Sequence, residues 1–448
     1  MKPKILLINP WIYDFAAYNL WTRPLGLYKV AEYLSAFNVG LSLIDCMECS
    51  ATGRFGTGRY RCEEVPAPDI LKGYRRRFKR YGMSIQDFRL KVRKSAPADI
   101  VVMTSVMTYW YPGVQRCISV IREEMGDVPI ILGGIYATLY HKHACDHSGA
   151  DFIFSGKVND GLKFAISTFG YKLKKTREQC AYYNVLTNLD LGAAPLLTST
   201  GCTFNCSYCA SRLLSDFTQL SPDDVFEEMA DLHRLGVRDF AFYDDALLIN
   251  ADTHFKPLLE KIIDAGLDVR LHSPNGLHAR FIDHETASLM RKAGFSTLRL
   301  SLETVNEVRQ MESGKVSNTN LAASVGSLLS AGFSKNAVGI YIMFGLPHQE
   351  LDEVKESVAF AKSLGVRINL TEFSPIKGTR SWHELIRLGK INDDLDPLLT
   401  NNSVFPFLFS GYDIEELRKI KLDVKEYNYS CASGAQNDIS IRLGRAER

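Results

Sequence analysis

Three cysteines stand in one short stretch, Thr198-Ser-Thr-Gly-Cys202-Thr-Phe-Asn-Cys206-Ser-Tyr-Cys209. Spaced by three residues and then two, their thiolates can each take one iron of a cubane cluster and leave the fourth iron without a protein ligand. An iron so exposed is open to a substrate or a cofactor. A structural zinc site wants a fourth close ligand, yet the next cysteine along the chain is Cys431, far outside the loop. Gly201 and Asn205 suit a tight ligand loop better than a packed core turn. The spacing predicts a [4Fe–4S] cluster on Cys202, Cys206 and Cys209.

Such a loop needs a frame. The triad follows the first of six strand candidates, which end near Thr198, Tyr243, Ser273, Leu302, Phe344 and Phe373. Helices are expected between them at about 222–235, 252–265, 283–293, 318–331 and 349–364. Ser221-Pro222 reads as a helix start, and Gly236, Gly266, Gly294, Gly332 and Gly365 as helix stops. Six β/α units predict a partial (β/α)6 TIM-like barrel whose chemistry lies at the C-terminal strand ends. Upstream, apolar runs at Lys4–Asn9, Leu41–Asp45, Asp99–Thr104, Val128–Leu132 and Asp151–Phe154 alternate with helices and predict a Rossmann-like parallel sheet. The expected organisation is α/β throughout. It comprises a Rossmann-like domain over 1–170 with a basic insertion at 50–98, a linker over 171–194, the barrel over 195–375 and a C-terminal extension over 376–448. That extension is read as short and helical, with a helix near 413–427.

Composition narrows the classes. Of 448 residues, 46% are hydrophobic and 23% charged, which excludes a disordered or fibrous chain. A net charge of +2 provides no global field for nucleic acid or an anionic membrane. No apolar run approaches the ~20 residues of a bilayer span, and the N-terminus lacks a signal-peptide core, so a cytoplasmic location is expected. In a reducing compartment the ten cysteines point to metal chemistry rather than disulfides. Between Arg54 and Lys94, thirteen Lys/Arg face four Asp/Glu. A solvated insertion, or one packed across a domain interface, is favoured there over an arm for phosphate or RNA. His141, His143, Cys145 and His147 have metal-compatible helical spacing but are read as an exposed helix. Cys46, Cys49 and Cys62 offer a second cluster only weakly, because they do not come one per strand end.

The cysteine motif at the first strand end of a six-unit barrel resembles the radical S-adenosylmethionine superfamily, over about residues 195–375. The resemblance implies that S-adenosylmethionine chelates the open iron and that reduction of the cluster cleaves it to a 5′-deoxyadenosyl radical. It also implies a low-potential electron donor such as flavodoxin or ferredoxin. Carried over residue by residue, it places Tyr208 beside the adenine. Asp244 and Asp245 stand at the methionine ammonium, although Phe242-Tyr-Asp-Asp245 departs from the usual Gly-Gly-Glu. Ser301 and Glu303 fall at the methionine carboxylate or ribose, Met343 and Gly345 at the fifth-strand adenine wall, and Asn275 facing the same cavity. The N-terminal sheet resembles the cobalamin-binding domain of a subgroup of that superfamily. On that likeness, Ser105, Thr108, Gly133 and Gly134 line the corrin and its nucleotide tail. No Asp-x-His-x-x-Gly follows the first strand, so cobalt would lack a lower histidine ligand.

The resemblance implies a cobalamin-dependent enzyme that methylates an unactivated carbon of a small molecule or biosynthetic intermediate. Ring formation or rearrangement with the same cofactors is one alternative, and a tRNA methylthiotransferase is another. The latter would need three cysteines in separate N-terminal loops and a C-terminal RNA-binding barrel. A non-catalytic cobalamin or S-adenosylmethionine carrier has no need of a reducible cluster. The sequence identifies neither a substrate nor a catalytic proton donor.

Overall fold

The structure is a computed structural model and describes residues 2–187 and 189–443. The chain forms two compact units, residues 1–190 with 393–401 and residues 191–392 with 402–448.

The first unit is built on five parallel strands. These are β1 (Lys4–Asn9), β2 (Gly40–Asp45), β3 (Ile100–Met103), β4 (Ile130–Leu132) and β5 (Phe152–Ile153), in the order β5-β4-β3-β1-β2. Ile5, Leu6, Leu7 and Ile8 are all buried, as a central strand covered on both faces requires. The strand order turns back between β1 and β3, which makes their C-terminal edge the ligand-binding end of such a sheet.

The basic insertion is more ordered than a solvated loop. Ile12–Asp14, Lys79–Tyr81 and Cys62–Glu64 form a small antiparallel sheet, and a helix follows at Ile85–Ser95. Several of its cations are engaged: Arg80 is buried and pairs with Glu63 at 2.7 Å, while Arg89 and Arg93 both pair with Glu124. Three-residue strands have too few alternations to register as a period in sequence. Residues 171–190, expected as a linker, belong to this unit. Arg177 Nε donates to the Ser35 carbonyl at 2.7 Å, and Tyr182 stacks on Tyr28 at 4.2 Å. Residues 393–401, expected in the C-terminal extension, belong to it as well. Buried Asp14 holds them, accepting from Asn401 Nδ2 at 2.9 Å and from Trp110 Nε1 at 2.7 Å.

The second unit has six parallel strands in chain order: β6 (Ala194–Leu196), β7 (Asp239–Phe242), β8 (Arg270–His272), β9 (Phe295–Glu303), β10 (Val338–Phe344) and β11 (Arg367–Glu372). Sequential order with intervening helices is the arrangement of a partial barrel. Helix Pro222–Arg234 is capped by Ser221 Oγ, which accepts from the Asp224 amide at 3.0 Å. Phe240 and Phe242 are buried on the helix side, where Phe242 stacks against Phe295. Asp239, on the alternate face of β7, accepts a bidentate bond from Arg270 at 2.7 and 2.6 Å and contacts His272 at 3.0 Å. The final helix, Ile414–Leu443, runs well past 427; its later turns carry no apolar period, so the sequence marks only its first part. Residues 444–448, the end of the expected extension, lie outside the described residues.

Candidate active site

The cysteine loop is pinched at its base. Ser199–Thr200 pairs antiparallel with Thr218–Gln219, so the intervening residues form one closed excursion at the C-terminal end of β6. Gly201 opens it at φ +70, and a Cβ there would stand 2.6 Å from the Asp216 carbonyl. Only glycine allows both that angle and that approach. On the far side, the Ser381 amide donates to the Ser207 carbonyl at 2.8 Å, and the Arg380 guanidinium donates to the Asn205 carbonyl.

Within the loop the Cys209 amide donates to the Cys206 carbonyl at 3.2 Å, and the Ser211 hydroxyl lies 3.1 Å from Cys209 Sγ. Cys202 and Cys206 are partly buried, and burial pushes both thiols above their ordinary range. Cationic irons would reverse that cost by taking the thiolates directly. Among the described residues no group of three His, Cys, Asp or Glu side chains is set to hold one metal ion. The donor set suits a cluster, whose three thiolates bind three different irons rather than one.

Asp244 anchors the loop. Its Oδ1 accepts from the Thr198 amide at 3.0 Å, the Thr198 hydroxyl at 2.8 Å, and the Ser199 amide and hydroxyl, each at 2.6 Å. Burial still pushes this carboxyl above its ordinary value, and its Oδ2 is buried without a partner. Asn275 Nδ2 donates to the Tyr243 and Asp244 carbonyls at 2.8 and 3.3 Å, tying the second and third strand ends together. Asp245 is raised by burial, which Ser211 and Lys315 oppose.

Lys315 is the residue that sequence reading missed. Its Nζ donates to Ser301 Oγ at 2.8 Å and to Glu303 Oε1 at 3.1 Å, with both side chains mostly covered. Burial works against its charge, but Glu303 and the thiols of Cys206 and Cys209 outweigh it and hold the ammonium. Gly314, left-handed at the end of helix Glu307–Ser313, turns the chain so that Lys315 enters. Nothing in a lone Ser-Gly-Lys distinguishes it from a surface turn. Tyr208 carries a buried hydroxyl that lies against the Cys206 thiol. Tyr208, Glu303, Lys315 and Ser207 line one small cavity.

The structure thus brings the three cysteines, Tyr208, Asp245, Ser301, Glu303 and Lys315 together. Met343 and Gly345 close β10, where the Gly345 position lies against Pro406, 3.0 Å from the Cβ it lacks. In the first unit, Gly133 and Gly134 follow β4. Gly134 (φ +95) packs so tightly that a Cβ would strike the Ser105 carbonyl at 2.2 Å. The Ser105 hydroxyl donates to the Gly133 carbonyl at 2.7 Å, so it braces this loop, and Thr108 is buried beside it in the sequence. His141, His143 and His147 do lie on one helix, His141–His147, where Tyr136 Oη meets His143 Nδ1 at 2.7 Å and the rings of His143 and His147 are 4.5 Å apart.

Residues 196–361 match the family model of the radical SAM superfamily. The barrel of this chain is therefore a radical S-adenosylmethionine domain. Cytidylyl-2-hydroxyethylphosphonate methyltransferase of Streptomyces wedmorensis is 23% identical over 92% of this chain and 88% of its own length. An uncharacterized methyltransferase of Pyrococcus horikoshii is 28% identical over 43% of this chain, which spans only 41% of that protein. Among solved structures, the radical S-adenosylmethionine methyltransferase TsrM of Kitasatospora setae, with cobalamin and a [4Fe–4S] cluster bound, superposes with a TM-score of 0.63. It covers 87% of this chain and 78% of its own at 14% identity, a likeness of fold. No described helix is long and apolar enough to cross a membrane.

Proposed function

We propose that this chain is a cobalamin-dependent radical S-adenosylmethionine methyltransferase, acting on a small molecule with the help of a low-potential electron donor in the cytoplasm. The observation that carries the reading is the cysteine loop: three thiols on one closed excursion at the first strand end of a radical S-adenosylmethionine domain. Cys202, Cys206 and Cys209 hold the cluster, and the C-terminal edge of β1, β3 and β4 holds the corrin. When bound, the cluster supplies the electron that cleaves S-adenosylmethionine and the corrin supplies a transferable methyl group. The chain's own part is to fix the loop through Asp244 and Gly201 and to place the Lys315–Glu303 pair beside the cysteines. Tyr208 and Leu302 screen the same place from water. The likeness over most of both chains to cytidylyl-2-hydroxyethylphosphonate methyltransferase supports methyl transfer over rearrangement. After residue 376 the described elements are all helical, which speaks against the RNA-modifying alternative.

The test is iron and cobalt content after anaerobic reconstitution with iron, sulfide and hydroxocobalamin, followed by assay for 5′-deoxyadenosine. About four irons and one cobalt per chain are expected, with iron lost in Cys202→Ala, Cys206→Ala and Cys209→Ala. A chain that takes up no iron ends the radical reading. Iron without cobalt ends methylation through a corrin and leaves the N-terminal sheet as a substrate domain.

A further inference from the structure

The barrel carries a second polar cluster well below the cysteine loop. Arg299 on β9, Gly339 on β10 and Arg367 on β11 stand at one level across three adjacent strands, with Asn369 two residues further along β11. Gly339 leaves room there: a Cβ would come within 2.6 Å of Asn369 Oδ1 and 3.1 Å of Arg299 Cδ. The two arginines are close enough to repel. Burial presses down the Arg299 pKa, and Arg367 adds to that pressure. Arg299 donates through Nη1 alone, to the Leu298 and Ala337 carbonyls at 2.8 and 3.3 Å. Among the described residues no carboxylate pairs with either arginine. Arg367 Nε and Asn369 Oδ1 are both buried without a hydrogen-bond partner.

Two neighbouring guanidinium groups with no counter-charge are an expensive arrangement for a folded chain to hold for stability alone. Arg367 opens onto a groove of about 510 Å³ between β11, the outer strand of the sheet, and helix Ile414–Leu443, and Arg299 stands behind it, two strands further in. Its charged lining is Arg367, Lys421, Lys425 and Glu372, and the carboxylate is already held by Lys421 at 2.7 Å. Asn428 fixes the helix to the strand, accepting from the Ile368 amide at 2.9 Å and donating to its carbonyl at 2.7 Å. The groove therefore stays open beside the clamp rather than collapsing onto it.

We propose that Arg299, Arg367 and Asn369 form a binding site for a dianionic oxyanion of the phosphate type, entered along the edge of β11. The planar forks of two arginines match the tetrahedral oxygens of such a group, and the Asn369 amide, turned so that Nδ2 faces inward, adds a neutral donor. Lys425 at the mouth adds attraction on approach. As an anion site this stands on the geometry alone. As the place where the substrate's charged group is held, it rests on the enzymatic reading given above.

The test is titration of the full chain with inorganic phosphate by calorimetry, at constant ionic strength in chloride, with acetate as the monoanionic competitor. Arg367→Gln, at the half-exposed start of an edge strand, should fold and bind phosphate about 10- to 100-fold more weakly, the usual worth of charge-assisted hydrogen bonds. Arg299→Gln should do the same, while Arg387→Gln, elsewhere on the unit, should stay within about twofold of the parent chain. The site is refuted if the parent chain binds no phosphate at millimolar concentration, or if Arg367→Gln leaves the affinity unchanged. Acetate competing as well as phosphate would also overturn it. Iron uptake measured on the same samples separates the two readings: phosphate binding without iron upholds this site and sinks the enzymatic one, and the reverse pattern does the opposite.

Discussion

Replacing Asp244 by alanine should loosen the cysteine loop at its root. One carboxylate oxygen accepts four hydrogen bonds from Thr198 and Ser199, four and three residues before Cys202. The two hydroxyls can rotate to other acceptors, and Thr198 Oγ1 keeps its 2.9 Å contact with His254 Nε2. The two backbone amides cannot turn away. Each buried N–H left without an acceptor costs ~1–3 kcal/mol, so the gross loss is ~2–6 kcal/mol. Part of it is returned because the variant no longer buries a charge, a cost visible in the raised pKa of this carboxyl. A net loss of about 2–4 kcal/mol in the local opening energy is expected, or about 30- to 700-fold faster exchange at 1.4 kcal/mol per tenfold. Hydrogen exchange of the 196–200 segment reads this directly, on the iron-free and reconstituted chains. Asp244→Asn keeps an acceptor for both amides and should cost only about 1 kcal/mol, for the added donor near the unpartnered Oδ2 position. Exchange changed by less than threefold in the alanine variant, or an asparagine variant as damaged as alanine, would refute the reasoning.

Two further outcomes follow from the same geometry. Gly201→Ala forces a Cβ to within 2.6 Å of the Asp216 carbonyl and a left-handed angle costing ~1–2 kcal/mol, so reconstituted iron should fall below half of the parent value while far-UV circular dichroism is unchanged. Iron uptake equal to the parent chain would show that the loop does not need that turn. His272, fully buried, has its pKa lowered by burial to about 4 despite the hydrogen bond to Asp239. The unfolded imidazole takes its proton near 6.5, so this residue's contribution is complete above that pH and is lost as the pH falls from 6.5 to 4, by ~3 kcal/mol in all. His272→Gln should flatten the urea-measured stability of the second unit across that window; a parallel pH slope in both chains would count against the buried neutral imidazole.

How much of this was written legibly in the chain depends on the range of the interactions involved. The sheet and barrel strands were readable because whole faces are buried: Ile5 to Ile8, or Val338, Ile340, Ile342 and Phe344, repeat often enough to mark a strand. The cysteine triad was readable because its ligands are neighbours in sequence, so spacing alone carries the geometry. Asp244 makes bonds that its place in the sequence does not announce. Position after the second strand marked it as a ligand for an ammonium, whereas its Oδ1 is used by the adjacent strand end, a partner 45 residues away that no local pattern reveals. The ordering of residues 171–190 and 393–401 around the first sheet was equally invisible, since it depends on Ser35 and Asp14, distant polar groups that satisfy loops without any periodic signal.

Lys315 shows the same limit and its consequence for the site. A lysine after a short helix is ordinary in sequence, but its position beside Ser301 and Glu303 makes it a cation whose charge is felt by the thiols of Cys206 and Cys209. The pair lines a small cavity beside Tyr208. On the function proposed above, a ligand entering there would part Lys315 from Glu303. Two charges left alone at that depth would be costly, and a neutral ligand offers them nothing in exchange. A zwitterionic ligand does, because its ammonium can meet Glu303 while its carboxylate meets Lys315, so that one ion pair becomes two and the local charge is unchanged. On the function proposed above, the pair would therefore favour the charge pattern of an amino acid terminus, with one residue the resemblance places there and one that only folding brings near.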